Sequence, residues 1–484
     1  MKKIYLSIFM LTVGMYQSQS LVLVKDIRPG SSSGNAANFI TYNNKLYFSA
    51  TDGVSGTELW ESDGTEAGTK MVQDFNAGSG NFNPNSFVEK QGELFFAGGI
   101  GSMPSGVELY KYSPSNGISL FADIKEGSAS SSPNQLQLSP DKSTIYFRAN
   151  DVASTSARVY KTNGVTAPTA ISSNFISSSP LLVIDDVIFA AGGTDTSNIE
   201  LYKSEGGEFS LIKDIRVSGS SSPSNFYYSP TFNKMFFTAR SDENGTEPWM
   251  TDGTPQGTIL LKDINKSGQD QATTNAGISQ FIDYNGKLYF AANNGVTGSE
   301  LWVSDGTADG TQILKDIIPG TTGSNPSTFV EHQGLLYFVA NDATAGRELF
   351  VTDGTSENTR MVLDINPGVN GSSISDIISF NDKLYVVATA DTTIGKELYE
   401  VKDPTLSTGT VLVSKIKVFP NPSNGDFRIS ANNYQTYKIY DFAGKLVKSG
   451  IVDKQEIKSG VKTGQYILVL EGDNTKESTT IIIK

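Results

Sequence analysis

Three rows of carboxylates recur along this chain, each at a spacing of roughly one residue in fifty. Glu58, Glu108, Glu200, Glu247, Glu300, Glu348 and Glu397 form the first row, and Arg158 holds the same place in the third copy. Asp26, Asp74, Asp123, Asp214, Asp263, Asp316 and Asp364 form the second. Asp63, Asp252, Asp305 and Asp353 open Asp-Gly-Thr triplets and form the third. Carboxylates held in pairs at a fixed separation hydrolyse glycosidic bonds. Carboxylates set beside backbone carbonyls suit calcium. Catalysis needs a unique, asymmetric constellation, however, and a residue present once per repeat points to a structural acceptor. Each glutamate is therefore expected to accept hydrogen bonds from backbone or from a neighbouring repeat. Asp-Gly is also the preferred pair for a tight hairpin turn, where the Asp caps local backbone groups. One carboxylate per turn makes a poor ligand set, so the turn is preferred and calcium stays the minor alternative. The second row would need a cation or raised pKa values if it lined a channel, and nothing if each Asp pairs locally. Local pairing is favoured.

The remaining chemistry is sparse. His332 is the single histidine and is expected to be exposed in a turn. No Gly-x-Ser-x-Gly elbow precedes a helix, and no zinc motif, P-loop or dinucleotide fingerprint occurs. There is no cysteine, hence no disulfide and no thiolate site. Trp60, Trp249 and Trp302 fall at equivalent positions, where packing is preferred over stacking on a sugar. No catalytic residue and no cofactor site is assigned.

These residues belong to a motif of about 48 residues that occurs eight times, and such a period means a repeat architecture. Its best copy runs Glu58-Leu59-Trp60-Glu61-Ser62-Asp63-Gly64-Thr65, then Gly68-Thr69 and Asp74. Within the first unit, Asn38 to Tyr42, Leu46 to Ala50, Glu58 to Ser62 and Lys70 to Asp74 are short β-rich runs separated by Asn, Asp and Gly turns. An aromatic strand recurs as Leu46-Tyr47-Phe48, Leu94-Phe95-Phe96 and so on to Leu384-Tyr385-Val386. Continuous apolar strands are buried on both faces, as in a blade between two neighbours. Four strands per unit and eight units predict an all-β, eight-bladed β-propeller over 21–412. The first Lys25-Asp26-Ile27 strand has no unit before it, and the last unit lacks one after it. The N-terminal strand is therefore expected to complete the last blade, which leaves few free edges. The third and fourth units are degenerate, and the Lys-Asp-Ile strand due near Ala170 to Asn174 is unrecognisable.

The ends differ from the body. Lys2 and Lys3, an apolar run from Ile4 to Tyr16, and Ser18 and Ser20 predict a signal peptide over 1–20. No later run is long enough to span a bilayer, so no transmembrane segment is expected after its removal. The whole chain carries a net charge of −13, yet residues 413–484 hold 11 Lys/Arg against 7 Asp/Glu. An acidic body argues against nucleic acid and anionic membrane as partners. The tail itself is a run of strands and turns that predicts a small immunoglobulin-like β-sandwich.

Two resemblances follow from these residues. The repeat resembles the ELWxxDGT-repeat proteins, propellers of bacterial surfaces, over roughly 21–403. The tail closely resembles the type A sorting domain of the type IX (Por) secretion system. It matches in its Pro420-Asn421-Pro422 opening, its Tyr440-Asp441-x-x-Gly444-Lys445 hairpin and its Gly464-x-Tyr466-x-Leu468 strand. That resemblance implies Sec export, handover to the type IX machinery and removal of residues 413–484 on the way out. The expected function is a secreted or cell-surface, non-enzymatic binding or adhesion-type propeller. Its ligand, a glycan or a protein, would sit on a loop face or at the channel mouth. The alternatives are a glycan lyase or hydrolase on a propeller scaffold, and a purely structural role in a matrix. A non-repeated cluster of His, Arg, Tyr and carboxylates would mark an enzyme.

Overall fold

The computed structural model describes residues 20–99, 104–150, 157–171, 175–194, 197–266, 274–402, 418–419, 423, 425–429, 434–440, 445–452, 455–472 and 476–483. The expected signal peptide lies outside them, apart from Ser20. The chain divides into two compact units, Met1–Pro404 and Thr405–Lys484.

The first unit is an eight-bladed β-propeller of four-stranded antiparallel sheets. Blade one shows why the repeat folds this way. Its strands are Ala37–Tyr42, Lys45–Thr51, Thr57–Ser62 and Lys70–Gln73, paired in sequence order. Asn43 and Asn44, both at positive φ, turn the first strand into the second. Asn tolerates that conformation better than other non-glycine residues, so the turn is set by local sequence. The second strand is buried almost throughout, as are its counterparts in the other blades. Each core is a layer between two blades. Leu46, Phe48 and Trp60 of blade one, for example, pack with Phe380, Tyr385 and Leu398 of blade eight.

The first strands lie innermost. Those of blades one and two touch, those of blades five and six touch, and those of blades eight and one close the circle. In six blades their ladder is interrupted at one point, as between Ala37 and Ile40 or Ser224 and Tyr227. A residue at positive φ stands at that break in five blades: Asn38, Ser86, Gln135, Asn225 and Thr328. A β-bulge of this kind bends a strand and re-aims side chains.

Closure is by the N-terminal strand. Ser20–Lys25 adds antiparallel to Lys396–Lys402 as the outer strand of blade eight, with Leu21 opposite Val401 and Leu23 opposite Tyr399. In the degenerate third blade the outer strand shrinks to Thr169–Ala170.

The second unit is a β-sandwich. Val418–Phe419, Asp426–Ile429 and Glu456–Lys458 make one sheet. Thr436–Tyr440, Leu446–Ile451, Gly464–Glu471 and Lys476–Ile483 make the other. Phe427, Ile429, Tyr437, Ile439, Leu468 and Ile481 fill its core. Among the described residues of the chain no helix is long and apolar enough to cross a membrane.

Candidate functional site

The repeated glutamates stand near the start of each third strand and are fully buried. A buried carboxylate needs donors, and here they come from the loop that leaves the outer strand for the next blade. Glu300 accepts from Ile317 N at 2.9 Å, Ser324 N at 2.8 Å and Ser324 Oγ at 2.5 Å. Glu108 takes the same three groups from Ile124 and Ser131, and Glu200 from Ile215 and Ser221. Glu247 accepts from Ile264 N and Asn265 N, Glu348 from Ile365 N, and Glu58 from Phe75 N. Glu397 locks the ring itself, accepting from Ile27 N at 3.1 Å, Arg28 N at 3.4 Å and Gly34 N at 2.8 Å. Gly34 is required by close approach, since a Cβ there would lie 2.6 Å from Glu397 Oε2. Each glutamate thus staples one blade to the crossover into the next.

Burial pushes the carboxyls of Glu58, Glu247, Glu348 and Glu397 up to about 7, against the pull of their donors. Glu108, Glu200 and Glu300 are raised too, with the serine hydroxyl as the strongest opposing influence. In the third blade Arg158 takes the position and reverses the polarity, donating from Nη1 to Phe175 O at 3.5 Å.

The second row follows the outer strands, which lie farthest from the axis, so these aspartates do not line the channel. Asp74 and Asp123 accept locally from Gly78 N and Gly127 N at 3.2 Å each. One oxygen each of Asp26, Asp123, Asp263, Asp316 and Asp364 is buried with no partner among the described residues.

The Asp-Gly-Thr turns are built from within. Asp63 accepts from Thr65 N at 2.9 Å and Thr65 Oγ1 at 2.7 Å, and Asp252, Asp305 and Asp353 repeat the pattern. The threonine hydroxyl lowers the pKa of Asp63, Asp252 and Asp305. At Asp353 burial is the largest influence and pushes upward, and hydrogen bonds from the Thr355 hydroxyl, the Asn358 amide and the Thr355 backbone together bring the pKa below its ordinary value. The glycine has a second task. Gly64 (φ +88°) seats on the preceding blade, where an added Cβ would fall 2.3 Å from Tyr385 Oη. The lysines before the repeated aspartates reach forward in the same way. Lys262 Nζ donates to Ala308 O and Thr311 O, and Lys315 Nζ to Ser356 O and Thr359 O, each across to the next blade. Among the described residues no three His, Asp or Glu side chains gather as a metal site.

Trp60, Trp249 and Trp302 are buried between blades. His332 differs from expectation. It ends the strand Ser327–His332, is buried, and shares a hydrogen bond with Ser379 Oγ of the next blade at 2.9 Å through Nδ1. Burial lowers its pKa. The turn after it is exposed, but its own side chain points into the layer between blades seven and eight.

A cavity of about 750 Å³ lies along the inner strands of blades five and six. Asn225, Tyr227, Ser279, Gln280 and Phe281 line it. These residues escaped the sequence reading, although a signal exists. A polar residue precedes an aromatic or leucine in six of the eight units, in Asn38-Phe39, Ser86-Phe87, Gln135-Leu136, Asn225-Phe226, Gln280-Phe281 and Thr328-Phe329. A smaller cavity of about 190 Å³ lies between blades four and five, beside Asp185, Lys234 and Asp252.

Of the residues singled out in the tail, Pro420, Asn421, Pro422, Asp441 and Gly444 lie outside the described residues. Lys445 is exposed, and Gly464 opens a strand. Tyr466 Oη donates to Lys462 O at 3.0 Å while its ring packs on the sandwich core.

Residues 417–484 match the family described as a secretion system C-terminal sorting domain. No curated protein matches the sequence. Among solved structures, a prolyl endopeptidase is 10% identical with a TM-score of 0.45, over 93% of this chain and 56% of that one. The chain thus spans little more than half the length of that protein. The β-propeller domain of the Trilobed protease from Pyrococcus furiosus is 11% identical with a TM-score of 0.40, over 67% of this chain and 96% of that domain. A puromycin hydrolase is 11% identical with a TM-score of 0.44, over 78% and 62%. The sorting domain marks this chain for export to the cell surface or the medium and implies an encounter with the type IX machinery.

Proposed function

We propose that this chain is a non-enzymatic binding or adhesion propeller of the ELWxxDGT-repeat kind, delivered outside the cell through the type IX system. The observation that carries the proposal is the use made of its carboxylates. Glutamates at seven equivalent positions all accept from a crossover loop, and the four Asp-Gly-Thr aspartates all close their own turns. Groups spent identically in every blade stabilise a ring and leave recognition to the surfaces that the ring displays. The signal peptide over 1–20 and removal of the tail after export belong to the same proposal, as does the absence of a required cofactor. The Asp-Gly-Thr carboxylates are read as turn caps in preference to calcium ligands.

The test is a screen of the purified exported protein on a glycan array and in pull-downs, paired with product analysis after prolonged incubation. Saturable, stoichiometric capture of a ligand that is recovered unchanged is expected. Multiple turnovers of any captured glycan or peptide would overturn the reading.

A further inference from the structure

We infer that the cavity between the inner strands of blades five and six is a binding site for a short, uncharged, hydroxyl-rich ligand, that is, a neutral oligosaccharide. The inference rests on the binding reading above and gives it a place and a ligand class.

Orientation is the first argument. Asn225 Nδ2 donates to Ile278 O at 2.9 Å, and Gln280 Oε1 accepts from Phe329 N at 3.0 Å. Each amide is held at one end by backbone of the following blade, Ile278 just before the inner strand of blade six and Phe329 within that of blade seven, which fixes which way round it sits. The other ends, Asn225 Oδ1 and Gln280 Nε2, have no partner among the described residues, and both side chains are exposed. The cavity therefore displays one fixed acceptor and one fixed donor, which together suit a hydroxyl pair. The bulge places Asn225 at φ +53°, which turns its side chain relative to the strand.

Surroundings supply the second argument. Tyr227 and Phe281 give the cavity aromatic walls, and Tyr227 Oη is held by Asp283 N at 2.8 Å. Ser279 Oγ donates to Pro326 O at 3.2 Å. Among the described residues no Asp, Glu, Lys, Arg or His lines the cavity. A charged ligand would enter without a counter-charge, whereas a neutral one loses nothing by that. The volume falls in the range of small-ligand pockets, about 300–1,000 Å³.

Titration calorimetry of the full-length protein tests the inference with xylobiose, cellobiose, maltotriose, mannobiose and chitobiose as neutral probes and digalacturonate as the anionic one. At least one neutral sugar is expected to bind, with digalacturonate weaker. Gln280→Glu keeps the acceptor for Phe329 N but replaces the free donor, and should weaken binding at least tenfold with Tm unchanged. Asn225→Gly keeps the positive φ and should weaken binding as much, with a small fall in Tm from the lost bond to Ile278 O. Asn38→Gly, the same position in blade one, should change Kd less than twofold. Binding of none of the neutral sugars would overturn the inference, as would preference for digalacturonate or equal losses in Asn38→Gly and Gln280→Glu. If sugars fail while the pull-downs capture another ligand unchanged, the binding reading survives and this site does not. If a Gln280→Glu-sensitive sugar is cleaved, the site survives and the non-enzymatic reading does not.

Discussion

Removing one buried glutamate should destabilise the propeller by an amount that follows from its donors. Glu300 is fully buried and accepts from three groups, Ile317 N, Ser324 N and Ser324 Oγ. Glu300→Ala leaves those donors buried and unpaired at about 1–3 kcal/mol each, and the serine hydroxyl can rotate to another acceptor. Two unrelieved N–H groups and a side-chain-sized void give a loss of about 3–5 kcal/mol. Glu300→Gln keeps one oxygen as acceptor, turns an NH2 towards a donor, and removes the burden of a buried charge, for a net loss of about 1–2 kcal/mol. Urea denaturation of the purified chain reads both, and the order Ala, then Gln, then wild type is the firm expectation. Adding Ser324→Ala to Glu300→Ala should lower stability little further, because the two share one bond network. A Glu300→Ala protein within 0.5 kcal/mol of wild type would refute the stapling role.

Other perturbations read the same architecture. Deleting Leu21 to Ile27 strips the outer strand of blade eight, burying neither Val24 nor Ile27, at about 1.5–3 kcal/mol each. With the lost ladder, the urea midpoint should fall steeply, and an unchanged midpoint would place closure elsewhere. Gly64→Ala at φ +88° meets Tyr385 Oη, while Gly78→Ala at φ +83° meets nothing within 4 Å. The second should lose about 1–2 kcal/mol from backbone strain, and the first at least 1 kcal/mol more; equal losses would dismiss the turn-to-blade seat. Stability should also rise as pH falls from 8 to 5. Glu58, Glu247, Glu348 and Glu397 have folded pKa values near 7, above their ordinary 4.5, so protonation favours the fold. That contribution is complete below 4.5 and lost through 7. It is opposed by His332, whose lowered pKa favours the fold at higher pH, and towards pH 5 by Glu61 and the Asp-Gly-Thr aspartates, whose lowered pKa values act in the same sense. A Tm that is flat or rising between pH 5 and 8 would contradict it.

Much of the fold was legible because blade formation is local. The Asn43-Asn44 turn, the Asp63-Gly64 turn and the apolar run Leu46 to Ala50 each act within one sheet, so the first unit reads off in order. Closure was legible for another reason: Lys25-Asp26-Ile27 is a strand without a unit. The contacts that cross between blades were not legible. His332 looks like a turn residue until Ser379 of the next blade is brought against it, and Gly64 looks like a hairpin residue until Tyr385 lies beneath it. Lys262 gave no hint of its reach to Thr311. The cavity was hidden for the same reason, since the amides of Asn225 and Gln280 are oriented by backbone groups of the neighbouring blade.

The most direct test of an exported propeller carried by a sorting tail is its location. The protein should be quantified in medium, cell surface and periplasm for the full chain and for a chain ending at Leu412, with limited proteolysis to report folding. The full chain should be found outside the outer membrane, and the truncated one folded, protease-resistant and confined to the periplasm. Normal amounts of the truncated propeller outside the cell would contradict the account.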